Sequence, residues 1–268
     1  MAQNTQQDSI GAGAHDKVVA ANEAHFDNVS AKVNSIPLAQ QLGRFNAGLL
    51  RSIYPFDPAK TEVMDFACGT GLIAQHLSEH CKSILGVDIS QGMVDEFNRL
   101  AESLKIPRDK MSAIRTTLTG AEGELEGRKF DVIACVMAYH HFPSLSDTTR
   151  VLVHFLKPGG TLLVIDGHDS PNNDYPLWVS YWTGQAGATG GHSHEHHHED
   201  TTKAPSKTMP ENFDSIIPHK VAMSEEGMRP VFEGEGLEAF ELRVSPRDEC
   251  PGQAIEIFVA KGTKPITA

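Results

Sequence analysis

The chain has 268 residues, 40% of them hydrophobic, and a formal net charge of −12. That length suits one large domain or one domain with a cap, and the acidic balance argues against a phosphate-backbone partner. No apolar run approaches the roughly 20 residues that would span a bilayer.

The N-terminus, Met1-Ala2-Gln3-Asn4-Thr5-Gln6-Gln7-Asp8, has no basic or apolar leader, which gives a cytoplasmic expectation. Residues 1–14 are polar and Gly/Ala-rich and are expected to be a disordered tail. Residues 15–58 read as a helical cap. Its second helix starts at Pro37, carries Leu38, Leu42, Phe45, Leu49, Leu50 and Ile53 at helical spacing, and is ended by Pro55 and Pro58. From 59 onward the chain reads as the main α/β domain. Strands are expected near 62–67, 83–88, 111–115, 130–136 and 160–166, and helices near 71–80, 91–104 and 145–156. This alternation predicts a parallel sheet with helices on both faces. Leu156-Lys157-Pro158-Gly159-Gly160 reads as a helix stop and turn before the fifth strand.

Residues 169–215 break the pattern, with Trp178, Tyr181 and Trp182 close together and then His192, His194, His196, His197 and His198. Imidazoles bind transition metals, but the Gly, Ser, Thr and Pro around this run favour a mobile surface insert at about 183–210, and no metal is assigned. Ser224 is the expected N-cap of a further helix, and 238–244 and 254–260 alternate as a closing strand pair. The four cysteines, Cys68, Cys81, Cys135 and Cys250, show no paired spacing and are expected to be reduced thiols.

The chemistry concentrates in Val63-Met64-Asp65-Phe66-Ala67-Cys68-Gly69-Thr70-Gly71 and Gly86-Val87-Asp88-Ile89-Ser90. An apolar strand enters a glycine turn, and a second strand ends on an acid 17 positions after Gly71. Such a unit offers backbone amides to a ligand and a carboxylate to a ribose. Gly69-Thr70-Gly71-Leu72-Ile73-Ala74 formally fits the dinucleotide pattern G-x-G-x-x-A, so an NAD-dependent oxidoreductase is one reading. The other is the acid-x-x-x-G-x-G turn that binds S-adenosylmethionine (SAM). Asp65 inside the first strand favours it, because a carboxylate there repels a pyrophosphate and suits an ammonium. A non-enzymatic metal-binding protein using the His run is a third.

With these segments, with Phe130-Asp131-Val132-Ile133-Ala134-Cys135 and Tyr139-His140-His141-Phe142, and with the 156–160 turn, the chain resembles the class I SAM-dependent methyltransferases. The likeness is greatest to the ubiquinone/menaquinone-biosynthesis type and its small-molecule relatives. Pro218-His219-Lys220 through Met228 is faintly similar to fungal thiol methyltransferases of the gliotoxin kind. The resemblance implies a Rossmann-like seven-stranded α/β sheet in the order 3-2-1-4-5-7-6, with SAM as cofactor. The acceptor would be a small thiol, phenol or amine, and the partners neither nucleic acid nor membrane. A monomer is the expected state.

The family's first glycine is Ala67 here, and the usual acid after the third strand is replaced by Arg115-Thr116-Thr117-Leu118-Thr119. Cofactor contacts implied by the resemblance fall on Phe26, Asp65, Ala67, Cys68, Gly69, Gly71, Asp88, Ile89, Met93, Thr117, Leu118, Cys135, Val136 and Met137. Asp88 would accept the ribose hydroxyls, or else cap the following helix. Tyr139 and His140, at the end of the fourth strand, are the candidate catalytic residues, with His25 similar in kind. A histidine there takes a proton at neutral pH, or simply walls the pocket.

Overall fold

A computed structural model describes residues 12–174 and 223–266. In chain order the elements are α1 (Ala12–Val33), α2 (Pro37–Ile53), β1 (Glu62–Phe66), α3 (Ala74–Leu77), β2 (Ser83–Asp88) and α4 (Gln91–Ser103). β3 (Met111–Arg115), β4 (Phe130–Val136), α5 (Leu145–Phe155) and β5 (Leu156–Gly167) follow. The chain then closes with α6 (Glu225–Gly234), β6 (Glu238–Ser245) and β7 (Ile257–Thr263).

The strands form one seven-stranded sheet in the order β3-β2-β1-β4-β5-β7-β6. β1 to β5 are parallel, and β7 runs antiparallel between β5 and β6. The central strands are near-continuous apolar runs because helices cover both faces. Alternate residues divide between two cores, as a period of two requires. Val132, Ala134, Leu163 and Ile165 face α2 and α4. Ile133, Cys135, Leu162 and Val164 join Leu152, Phe155, Met228 and Phe232 of α5 and α6 on the other side.

Several boundaries differ from the sequence expectation. Ala12 to Ala14 belong to α1 and not to a disordered tail. The helix expected over 71–80 is only α3 and a 3-10 turn, Ser78–His80, because the glycine loop stays non-helical through Gly71 and helical geometry starts near Ile73. The expected turn at 156–160 is instead the start of β5. Phe130 pairs with Leu156 and Val132 with Thr161, so the extra residues form a bulge. That bulge is held by Gly159 N–H to the Lys264 carbonyl at 2.9 Å and Lys264 N–H to the Gly160 carbonyl at 2.8 Å. The last strand starts at Ile257 rather than 254, since a 3-10 turn occupies Pro251–Gln253. Ser224 caps α6 as read, its hydroxyl accepting from Gly227 N–H. Trp178, Tyr181, Trp182, the His run and 218–220 lie outside the described residues. Among the described residues no helix is long and apolar enough to cross a membrane.

At the N-terminal edge of the sheet, Lys157 Nζ bridges Glu62 at 2.8 Å and Asp131 at 2.9 Å, and Lys82 meets Glu62 at 2.9 Å. These two lysines hold the Glu62 carboxyl down to about 2. The opposite edge carries the candidate site.

Candidate cofactor and acceptor site

Strand order reverses between β1 and β4, and in open α/β sheets ligands bind at the C-terminal edge of that switch point. Both strands leave it through left-handed residues that are not glycine: Ala67 has φ +54° and Met137 φ +54°. Such backbone is disfavoured for L-residues and gathers at functional sites. After Ala67, Gly69 (φ +52°) and Gly71 (φ +84°) carry the loop. A Cβ on Gly71 would sit 2.9 Å from the Phe97 ring, whereas one on Gly69 would meet nothing within 4 Å, so the Gly69 side of the loop is open.

Two carboxylates face this loop. Asp88, at the end of β2, accepts from Gly69 N–H and Ser90 N–H, each at 2.9 Å. It does not cap α4; the Ser90 hydroxyl does, accepting from Met93 N–H at 3.1 Å. Burial pushes the Asp88 carboxyl up, and the amides of Ser90 and Gly69 pull it back. Asp65 lies mid-sheet, in register with Gly86 and Ala134, and is 3% exposed. Its Oδ2 is buried without a hydrogen-bond partner. Burial first, and then the charge of Asp88, raise its carboxyl well above the usual range. Two neighbouring buried acids, one with an orphan oxygen, suit a cationic ligand and oppose an anionic one.

α1 closes over this edge. Asp27 accepts from the Ser90 hydroxyl at 2.5 Å and Gly92 N–H at 2.9 Å, which places a carboxylate at the N-terminus of α4. The Thr70 hydroxyl donates to Asn34 at 2.6 Å, and Glu23 pairs with Arg115, whose Nε donates to the Ile89 carbonyl. Gly92 permits the approach: a Cβ there would lie 2.6 Å from the Ser30 hydroxyl. Phe26 is half-buried and packs edge-on against His141 at 5.1 Å, with His25 at 5.2 Å on its other side. Burial lowers the pKa of His25.

The remaining sequence candidates separate. Ala67, Cys68, Ile89, Cys135, Val136 and Met137 lie at or just beyond the ends of β1, β2 and β4. Cys68 and Cys135 are buried thiols pushed well up by burial, with nearby carboxylates adding, so neither is an activated nucleophile. Met93 is buried. Thr117 is exposed on the loop after β3, whereas Leu118 is buried in the core beneath α5.

Tyr139 does not fit its candidate catalytic role. It is fully buried, its hydroxyl lies 3.1 Å from the Thr149 hydroxyl, and burial pushes that phenol far up. The 3-10 turn Tyr139–His141 turns Tyr139 into the core under α5 and leaves the His140 side chain partly exposed beyond the end of β4. Tyr139→Phe is therefore expected to bind S-adenosylhomocysteine within twofold of the parent and to lose about 1 kcal/mol of stability, read by calorimetry and thermal melting. An affinity loss above tenfold in the folded variant would return Tyr139 to the site.

His140 has a partner that sequence reading missed. Its Nδ1 lies 2.8 Å from Asp166 Oδ1, and its backbone N–H donates to Asp166 Oδ2 at 3.2 Å. Asp166 is 3% exposed and also accepts from Gly167 N–H at 2.7 Å. The available signal was an acid closing the apolar run Leu162-Leu163-Val164-Ile165 at a strand's C-terminal end. Among the described residues no group of three or more His, Cys, Asp or Glu is gathered to hold a metal.

Residues 63–160 match the family model described as a methyltransferase domain. An uncharacterized methyltransferase of Schizosaccharomyces pombe is 44% identical over 107 residues, covering 39% of this chain and 38% of that relative. The chain thus carries a methyltransferase domain over residues 63–160. A ubiquinone biosynthesis O-methyltransferase of Coxiella burnetii is 28% identical over 100 residues, covering 37% of this chain and 41% of that protein. The matched segment thus spans about two fifths of these relatives. Among solved structures, magnesium protoporphyrin IX methyltransferase from Synechocystis, with bound S-adenosylhomocysteine, shares the fold. Its TM-score is 0.55 at 16% identity, over 93% of this chain and 99% of that one.

SAM is the cofactor of class I methyltransferases, and the residues of this site fit it. The orphan Asp65 oxygen suits an ammonium, and Asp88 and the open side of the Gly69 loop suit a ribose. The same pair of acids opposes the pyrophosphate that the dinucleotide reading needs.

Proposed function

We propose that the chain methylates a small organic acceptor, with SAM as donor, at the C-terminal edge of β1, β2 and β4. The observation that carries this reading is the buried, partnerless Asp65 oxygen beside Asp88 under the glycine loop. Bound there, SAM supplies a methyl group made electrophilic by its sulfonium.

In this reading Asp65 and Asp88 bind and orient the two ends of the cofactor. The amides of the 67–71 loop approach its backbone-facing side. Ile89 and Met93 lie on one side of the base, Thr117 and Leu118 near its edge, and Cys135, Val136 and Met137 line the floor below the methionine end. Residues 15–58 act as a cap, with Phe26 of α1 closing the site and excluding water. The acceptor lies between α1 and His140–His141. Positioning of this kind can supply roughly 7–11 kcal/mol of the barrier in favourable cases. Thiols, phenols and amines are the acceptor classes to test, in a monomeric cytoplasmic enzyme.

Calorimetry with S-adenosylhomocysteine and with NAD is the first test, followed by a screen of thiol, phenol and amine acceptors for S-adenosylhomocysteine release. Binding of the first ligand without the second is expected. Micromolar NAD affinity with no response to SAM or its product would end the reading.

A further inference from the structure

The fold does not require a buried acid at the end of β5, yet Asp166 is 3% exposed there and receives three donors that all hold one residue, His140, and its own turn. An ionised carboxylate only accepts hydrogen bonds, so His140 Nδ1 must donate in the 2.8 Å contact. In the neutral ring the proton then sits on Nδ1, and Nε2 is left with its lone pair. The ring keeps 20% of its side-chain surface exposed, on the edge of the cleft beside α1.

We propose that His140 and Asp166 form a proton-accepting dyad, and that the methyl acceptor is a group carrying a removable proton on sulfur or oxygen, a thiol or a phenol. The inference rests on the methyl-transfer reading and narrows its acceptor class. Thiols and phenols have ordinary pKa values near 8.5 and 10, so at neutral pH most are protonated and weakly nucleophilic. A weakly basic aromatic amine is already neutral at that pH, offers its lone pair and gains little from a base before attack.

The balance is simple. The acceptor's S–H or O–H proton passes to His140 Nε2. The electron pair left on sulfur or oxygen forms the bond to the methyl carbon as the methyl–sulfonium bond breaks, its pair staying on the cofactor sulfur. The products are the methylated acceptor, S-adenosylhomocysteine and an imidazolium, which later returns its proton to water. Asp166 holds the ring orientation throughout and offsets the imidazolium charge. It is a positioning residue and His140 the catalytic one.

Among the described residues, the groups around this ring come from its own turn, α1, β4 and β5. On its own turn, His141 stacks at 4.1 Å between ring centroids. From α1 come His25 and Phe26 through His141. From β4 comes the buried Cys135 thiol, which feels Asp166 and, across the sheet, Asp65 and Asp88. Beyond Asp166, β5 continues to His168, which is paired with Glu256 at 3.3 Å.

The test has two readouts. In histidine-labelled protein, long-range proton–nitrogen NMR, with His140 assigned through His140→Gln, is expected to show the neutral ring protonated on Nδ1. In turnover assays, dithiothreitol and catechol are expected to yield S-adenosylhomocysteine and aniline is not. Asp166→Asn and His140→Gln are each expected to lower kcat by about tenfold or more. KM and S-adenosylhomocysteine affinity should stay within twofold, the loss should shrink at high pH, and Asp166→Glu should restore part of it.

A ring protonated on Nε2, unchanged kcat in His140→Gln, or methylation of aniline alone would overturn the proposal. So would a protein that binds S-adenosylhomocysteine but methylates neither proton-bearing acceptor. Should Asp166→Asn not fold, the cleft-edge His140→Gln carries the kinetic arm. Absence of any S-adenosylhomocysteine binding would instead remove the methyl-transfer reading, with the NMR arm still judging the dyad.

Discussion

Asp88→Ala is expected to weaken S-adenosylhomocysteine binding by more than tenfold. A carboxylate at a strand end can accept from both ribose hydroxyls, and losing such charge-assisted bonds costs on the order of 1.5–3 kcal/mol. The structure adds a second cost. Asp88 already holds the Gly69 and Ser90 amides at 2.9 Å, so the alanine variant also frees the glycine loop and the entry to α4. Asp88→Asn separates the two effects. Its single carbonyl oxygen can still accept from one amide, but it has lost the charge and one acceptor, so an intermediate affinity is expected. Calorimetry on variants shown to be folded by thermal melting reads the result. Unchanged affinity in a folded Asp88→Ala would place the ribose elsewhere.

Asp65→Asn is expected to move stability and affinity in opposite directions. The Asp65 carboxyl is raised by burial and by the Asp88 charge, so it holds its proton more tightly in the fold than in the unfolded chain, where the value is 3.8. Its contribution to stability is therefore fully present below that unfolded value and is lost as the pH rises through the folded one. At pH 7 the ligand-free parent carries this penalty and the asparagine variant does not. A buried unsatisfied acceptor costs on the order of 1–3 kcal/mol, more if charged, so the variant should melt roughly 2–10 °C higher at pH 7. The gain should vanish below about pH 4, where the parent is protonated in both states. Affinity for SAM should fall about tenfold, because the ammonium loses its counter-charge. A variant that melts lower at pH 7 and binds SAM as well as the parent would show that Asp65 is a structural residue with no ligand of its own.

Much of this protein was determined locally, by residues adjacent in sequence. The runs 84–87, 132–136 and 162–165 are apolar without alternation because the strands they form are covered on both faces. The glycine turn was readable because its acid, its small residues and its left-handed positions all fall between 65 and 71. Ser224 was readable as a cap because its bond spans three residues. The family's strand order followed from the same contiguous segments.

What the tertiary structure alone decided depends on contacts between distant residues. Asp166 meets His140 across 26 positions and Asp27 meets Ser90 across 63, and no local pattern marks either pair. Tyr139 and His140 are neighbours with the same apparent promise. The 3-10 turn rotates one into the core against Thr149 and leaves the other at the cleft, since successive side chains on so tight a turn point about 120° apart. Asp65 read as a carboxylate suited to an ammonium, but nothing adjacent to it in sequence shows that it lacks a partner in the fold. Its orphan oxygen exists only because β2 and β4 close over it on both sides, removing water without supplying a donor.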